Sequence, residues 1–468
     1  MDEGRYLAAD RYLTLRHAAG LEQLCRFLAI PSISALPEHA PDVVRAARFL
    51  ADRLRQVGCP AVELLDPGGH PVVYGAWPGA AGAPTALVYG HYDVQPVDPL
   101  EAWHHAPFAP VVADGKLYAR GASDDKGQLW MHLEAAQALA AAAGRLPVNL
   151  KFLFEGEEET GASHLAGFAA AHRELLAADV LVISDTSFFA PGVPSVSCGL
   201  RGLAAWELVV HGPARDLHSG EFGGAVANPL HALAELLASL HDGEGRVAVA
   251  GFYDGVAPPD PGLRAELAGL PFEEDAFRRL TGAEPWGEVG YATLERLWLR
   301  PTLEVNGLGG GFQGTGIKTV LPASARAKLT ARLVPGQDPA RVLAVVEDHL
   351  RRRCPPGVRL ELRPGGGSPA VHTPEDSPWV RAARRALERA FERPAMLIRS
   401  GGSIPVVAAL GEALETAPVL LGFGLPDDAI HAPDERLDLE QYARGQRAIV
   451  AYWLELGAMR GSGVEKAR

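Results

Sequence analysis

Acidic and histidine residues fall at the ends of several apolar runs in this chain. ALVYGHYD sets His91 and Asp93 directly after one run, and LYARGASDDKG sets Asp124 in a tight Gly-rich loop. FLFEGEEETG places Glu157, Glu158 and Glu159 after the next run, VLVISD ends on Asp185, and LPDDAIHAPDE supplies His431. Carboxylates gathered within about 4 Å of one another repel by roughly 4 kcal/mol per pair at an effective dielectric near 20. Two divalent cations remove that penalty, since three carboxylates, two neutral imidazoles and one bridging hydroxide roughly neutralise them. His with Asp/Glu ligation suits zinc and also accommodates manganese or cobalt. Each piece alone reads as an ordinary loop: a hydrogen-bonded histidine, a capped turn, a solvated acidic run. Their joint position after successive strands points to one site, because loops at the carboxyl ends of strands in an open α/β sheet converge on one crevice.

The elements that must carry these residues follow from apolar periodicity. A first helix is expected over Arg5–Leu28. A second carries Val43, Val44, Ala47, Leu50, Leu54 and Val57 along one face. Ala61–Leu65, Val72–Trp77, Ala86–Tyr89, Val148–Phe154 and Val180–Ile183 read as strands, with helices over Gly127–Ala143 and Ser163–Leu175. Strands alternating with helices indicate an α/β catalytic domain with a mixed, largely parallel sheet flanked by helices. After about Arg201 the order becomes β-α-β-β-α-β-like, with strands at 203–212, Ala325–Leu333 and Val358–Arg363 and helices at Asn228–Leu240 and Arg341–Arg352. That order predicts an inserted, smaller α+β (ferredoxin-like) domain over 203–366, with 1–202 and 367–468 forming the catalytic domain. Val419–Phe423 is a further buried strand of the larger domain.

Composition excludes several classes. The chain has 468 residues, 47% hydrophobic and 22% charged, the balance of a globular protein of more than one domain. A formal charge of −13 argues against nucleic-acid binding. No apolar run approaches the roughly 20 residues of a membrane span. The N-terminal stretch lacks a signal core, so a cytoplasmic protein is expected. Cys25, Cys59, Cys198 and Cys354 are scattered, as in reduced proteins. Gly309–Gly314 matches a dinucleotide fingerprint in form but leads into no helix, and no GxSxG elbow is present. His104 and His105 read as surface groups, and Lys126 lacks the Ser-x-x-Lys context of a catalytic lysine.

GHYDVQP, ARGASDDKG, EGEEETGA, ISD, DLHSG, KTVLP, RLVPGQ, GGSIP and DDAIHAPDE, in this order over nearly the whole chain, resemble a known family. It is the di-zinc metallopeptidases that include carnosine-type dipeptidases, glutamate carboxypeptidase, aminoacylases and acetylornithine deacetylase. The resemblance is closest to the cytosolic non-specific dipeptidase branch. It implies two divalent metal ions per subunit, with Asp124 bridging them, His91 and Asp185 completing one ion, and Glu159 and His431 the other. Asp93 would orient His91, Glu158 would be the general base, and the Asp124–Asp125 peptide would be cis. Glu157 takes no role. The inserted domain would act as lid and dimerisation domain, with His218 reaching the partner's active site in a homodimer to stabilise the oxyanion. Thr319, Arg332 and Ser403 would contact substrate, Arg332 pairing with a terminal carboxylate. The family's GRG is ARG at Ala119–Gly121, which disturbs no implied ligand.

The implied activity is hydrolysis of dipeptides or short peptides by a metal-activated water or hydroxide, without a covalent intermediate. An N-acyl-amino-acid amidohydrolase would use the same site. A non-catalytic metal-dependent binding protein would have no need of Glu158.

Overall fold

A computed structural model describes residues 2–161 and 164–459. Packing divides the chain into two compact units. One comprises the chain up to Cys198, Thr373–Ile398 and the part from Ala409 onward; the other comprises Gly199–His372 and Arg399–Ala408.

The first unit begins with helix Glu3–Leu28, whose N-terminal Arg5 N–H is capped by the Asp2 side chain. Helix Ala40–Val57 buries the expected stripe of Val43, Ala47, Leu50, Leu54 and Val57, while Val44 stays half-buried. It ends at Gly58, whose φ of 106° suits the left-handed cap a glycine tolerates.

The large sheet runs Ala61–Leu65, Val72–Trp77, Asn149–Glu155, Thr85–His91, Val180–Ile183, Pro418–Leu420 and Ser195–Leu200. Its four central strands, from Asn149–Glu155 to Pro418–Leu420, are mutually parallel, and their neighbours on both sides are antiparallel. Val180–Ile183 and Pro418–Leu420 are buried throughout, as expected of parallel strands covered on both faces. Helix Lys126–Ala143 packs against both Glu3–Leu28 and Leu439–Gly457, and Leu439–Gly457 also packs on Pro378–Phe391. No described helix is long and apolar enough to cross a membrane.

Some expectations shift. The single helix expected over 163–175 is two, Leu165–Ala171 and Arg173–Leu176, and Ser163 lies outside the described residues. His172 separates them with φ −116° and ψ 29°, its Nδ1 bonded to Phe168 O at 2.9 Å. A three-stranded sheet of Val111–Ala113, Lys116–Tyr118 and Arg436–Asp438 carried no sequence signal.

The second unit is built on an antiparallel sheet in the order Thr302–Gly310, Ser324–Leu333, Gly202–His211, Arg359–Ser368. Helices Pro229–Ala238 and Pro339–Arg353 pack on it. Read along the chain this is the β-α-β-β-α-β arrangement of a ferredoxin-like fold, with Gly309 and Gly310 closing a strand rather than cradling a phosphate. Arg399–Ala408 belongs to this unit although it lies outside the expected 203–366 insertion.

Candidate metal centre

The carboxyl ends of the four parallel strands supply the cluster. His91 ends Thr85–His91, and Glu158 and Glu159 sit in the 3₁₀ turn after Asn149–Glu155. Asp185 follows Val180–Ile183, and His431 lies beyond Pro418–Leu420. Asp124 arrives from the loop before Lys126–Ala143, and its bond to Asp125 is cis. The two oxygens of Asp124 face different rings: Oδ1 is 3.0 Å from His91 Nε2, and Oδ2 is 2.9 Å from His431 Nε2. Glu159 Oε2 lies 3.3 Å from His431 Nε2, and Asp185 Oδ1 lies 4.0 Å from His91 Nε2. Potential ligand atoms of His91, Asp124 and Glu159 all fall within 4.8 Å of one another. Imidazole nitrogens and carboxylate oxygens in this proportion are a donor set suited to divalent zinc, manganese or cobalt.

Asp93 sets the His91 ring. Its carbonyl and its Oδ1 lie 3.2 and 3.4 Å from Nδ1, so in the neutral ring Nδ1 carries the proton and Nε2 is left as an acceptor facing Asp124. Asp93 Oδ2 is itself held by Ser34 Oγ at 2.6 Å and by the Glu159 N–H at 3.1 Å. Asp125 occupies the N-cap position of Lys126–Ala143 but makes no cap bond; its Oδ2 accepts the His91 N–H at 3.1 Å. That close approach requires glycine at 90, where a Cβ would stand 2.7 Å from Asp125 Oδ2.

The cluster is strongly coupled electrostatically. Burial alone would raise Asp124, but hydrogen bonds from His431 and His91 hold it below the usual carboxylate range. The Asp124 and Glu159 carboxylates pull His431 up to about 10. Burial works against protonation of His91, yet its bonds to Asp124 and Asp93 lift it well above an ordinary histidine. Burial first, and Asp124 second, push Asp185 well above an ordinary carboxylate. Glu158 is raised by burial to about 7; His91 opposes this, and Glu159, Asp124 and Asp93 add to it.

Several supporting residues escaped the sequence reading. Glu435 is fully buried and accepts four donors: Arg120 Nη1 at 2.9 Å, Gly121 N at 2.9 Å, and Ser123 N and Asp124 N at 3.0 Å each. It thereby ties the Asp124 loop to the segment carrying His431. Asp428 does likewise through Ser123 Oγ at 2.7 Å. Gln95 Nε2 donates to Glu159 Oε2 at 2.7 Å, and Tyr89 OH donates to the buried Glu155 at 2.8 Å. The only sequence hint was that Glu435 closes DDAIHAPDE. Glu435→Gln is expected to weaken divalent-metal binding by about 10–100-fold, as measured by chelator competition. The amide keeps one acceptor oxygen and turns N–H groups toward backbone donors. Unchanged affinity would show that the loop holds itself.

Glu157, given no role, bonds His164 Nδ1 at 2.8 Å and the His70 N–H at 3.3 Å. Lys126 is buried and donates to Ile30 O at 2.8 Å, just past the end of Glu3–Leu28, a structural use of its charge. His104 is exposed and pairs with Asp434, while His105 is half-buried against Tyr118.

His218, Thr319, Arg332 and Ser403 belong to the second unit, where they form two local groups. Strands Leu217–His218 and Val320–Leu321 pair, bringing Thr319 Oγ1 to 3.5 Å from His218 Nε2. The Gly220 N–H donates to His218 Nδ1 at 3.0 Å, so the neutral ring carries its proton on Nε2 as an available donor. Arg332 Nη1 donates to Ser403 Oγ at 2.8 Å.

Residues 87–455 match the sequence profile of peptidase family M20/M25/M40. The chain is 31% identical to the Cys-Gly metallodipeptidase of Schizosaccharomyces pombe, over 93% of this chain and 95% of that one. It is 29% identical to the Beta-Ala-His dipeptidase of Homo sapiens, over 96% of this chain and 92% of that one. Among solved structures, an M20 family metallo-carboxypeptidase from Sulfolobus solfataricus superposes with a TM-score of 0.85 at 31% identity, covering 94% of this chain and 99% of that one.

Proposed function

Because this chain belongs to peptidase family M20/M25/M40, we propose that it is a metallodipeptidase that hydrolyses the peptide bond of free dipeptides. The observation that carries this reading is Asp124, whose two oxygens serve two separate imidazoles, His91 and His431, beside the raised carboxylate of Glu158. Two divalent cations, zinc before manganese or cobalt, would supply Lewis acidity to polarise the scissile carbonyl and acidify a water molecule. His91, Asp185 and Asp124 would hold one cation, and Glu159, His431 and Asp124 the other.

Glu158 accepts the proton of the attacking water and returns it to the leaving amine. Asp93 keeps the His91 ring oriented through this exchange. His218 donates from Nε2 to the developing oxyanion, across subunits in a homodimer whose second unit serves as lid and dimerisation domain. Arg332, Ser403 and Thr319 contact the substrate, Arg332 meeting its terminal carboxylate. A cytoplasmic setting suits the four scattered cysteines, Cys25, Cys59, Cys198 and Cys354. Relatives named for Cys-Gly and for Beta-Ala-His differ in both residues of the substrate but share dipeptide length and a free carboxylate. Those common features define the substrate class proposed.

The test is a panel of Cys-Gly, β-Ala-His, other dipeptides and N-acetylated amino acids, offered to protein re-supplied with Zn²⁺ or Mn²⁺. Dipeptides are expected to turn over. Turnover confined to acylated amino acids would make the chain a deacylase with the same site, and silence across the panel would sink the hydrolase reading.

A further inference from the structure

Within the second unit, residues 201–202 and 401–403 are laced together. The Arg201 N–H donates to Gly402 O at 3.0 Å, and its Nε donates to Gly401 O at 2.9 Å. Nη1 reaches Arg300 O at 3.5 Å. Ser403 Oγ donates to Gly202 O at 3.0 Å and accepts from Arg332 Nη1 at 2.8 Å. The turn is tight at 401, where a Cβ would stand 3.1 Å from Arg201 Nη2 and 3.2 Å from Leu297 O, so a side chain there displaces one or both by a few tenths of an ångström.

Arg201 and Arg332 are both half-buried, and neither has a carboxylate in ion-pair reach among the described residues. Burial pulls Arg201 down to about 10, and the positive charge of Arg332 adds to the effect. The pair is thus a positive cluster that Glu304, without reaching either guanidinium as an ion pair, offsets only in part, an environment that receives an anion. The carbonyls already occupy much of the Arg201 fork, whereas among the described residues Arg332 spends one donor, on Ser403.

We propose that Arg201 is a positioning residue for carboxylate recognition, holding the Gly401–Ser403 turn so that Ser403 Oγ fixes the Arg332 guanidinium for the substrate's terminal carboxylate. The inference rests on the dipeptidase reading above. Arginine is required at 201 because its planar fork serves several acceptors at once, whereas a lysine ammonium is a single point on a flexible stem. Fixing the Arg332 fork before substrate arrives spares the ordering cost at binding.

The experiment measures kcat and KM separately for wild type, Arg201→Met, Arg201→Lys, Gly401→Ala and Arg332→Met. Each is assayed on one dipeptide and on the same dipeptide with a C-terminal amide, beside its melting temperature. Arg201→Met is expected to raise KM for the free acid about tenfold, with kcat held within about threefold and KM for the amide unchanged. Arg201→Lys should recover little of this. Gly401→Ala, which disturbs the turn but keeps both charges, should shift KM the same way, and it decides the question if Arg201→Met does not fold.

Arg332→Met that erases the preference for the free acid while Arg201→Met and Gly401→Ala retain it overturns the positioning role alone. Full rescue by Arg201→Lys overturns the argument from the fork. If Arg332→Met keeps the preference, the carboxylate is held elsewhere and the proposal falls. If wild type cleaves no dipeptide, the underlying reading falls and takes this one with it.

Discussion

Glu158→Gln is expected to lower kcat by about 10²–10⁴-fold while the protein keeps its fold and its metal content. Glutamine matches glutamate in size but cannot take up a proton near neutrality. Glu158 opens the 3₁₀ turn Glu158–Thr160, and among the described residues no donor bonds its carboxylate, so the substitution breaks no structural contact. The protein's own groups raise Glu158 to about 7, where a group can both take and return a proton at the operating pH. Its neighbour Glu159 is differently placed, held by Gln95 and within 3.3 Å of His431. The check is kcat together with elemental analysis of bound metal. Retained activity would remove Glu158 from the chemistry, and loss of metal together with activity would make it a ligand.

Stripping divalent cations is expected to abolish turnover and lower the melting temperature, with Zn²⁺ or Mn²⁺ restoring both. A ligand that binds only the folded chain stabilises it by about 2.7 kcal/mol at 100 times its Kd. The protonation of the site adds a pH dependence with a definite sign. Carboxylate neighbours raise His431 to about 10 and lift His91 well above its ordinary value, so both rings hold protons at neutral pH. Each must lose its proton before its nitrogen can bind a cation, so metal uptake releases protons. Affinity therefore rises with pH, by up to about tenfold per pH unit for each proton displaced. Calorimetric titrations in buffers of different ionisation enthalpy count those protons. Affinity that stays flat between about pH 6 and pH 8, or full activity in excess chelator, would contradict the proposed centre.

The sequence by itself determined which elements carry the cluster of acids and histidines. Val72–Trp77 and Val180–Ile183 have the same bounds in the sequence reading and in the structure. Strands covered on both faces, whether antiparallel like Val72–Trp77 or parallel like Val180–Ile183, are short apolar runs that stand out without any knowledge of their neighbours. His91, Glu158, Glu159 and Asp185 were legible because they follow such runs directly, and Asp124 because a Gly-rich turn precedes a long apolar helix. After Arg201 the sequence held both helices and three of the four strands of the antiparallel sheet in order, whereas the glycine-rich, largely exposed Thr302–Gly310 gave no strand signal and is set only by its pairing with Ser324–Leu333.

Tertiary structure alone decided how these side chains are held. Glu435 is one more acid in a charged loop until folding brings Asp124, 311 residues earlier, to its carboxylate. Glu155 and Glu157 sit within two residues of each other in one acidic run, yet Glu155 is buried against Tyr89 while Glu157 grips His164. Arg201 read as part of a boundary, and its acceptors at 401 and 402 lie about 200 residues along the chain. Periodicity reports the burial of a residue within its own element. A buried polar group is specified instead by the partners that satisfy it, and those are chosen by which distant segments the fold brings together.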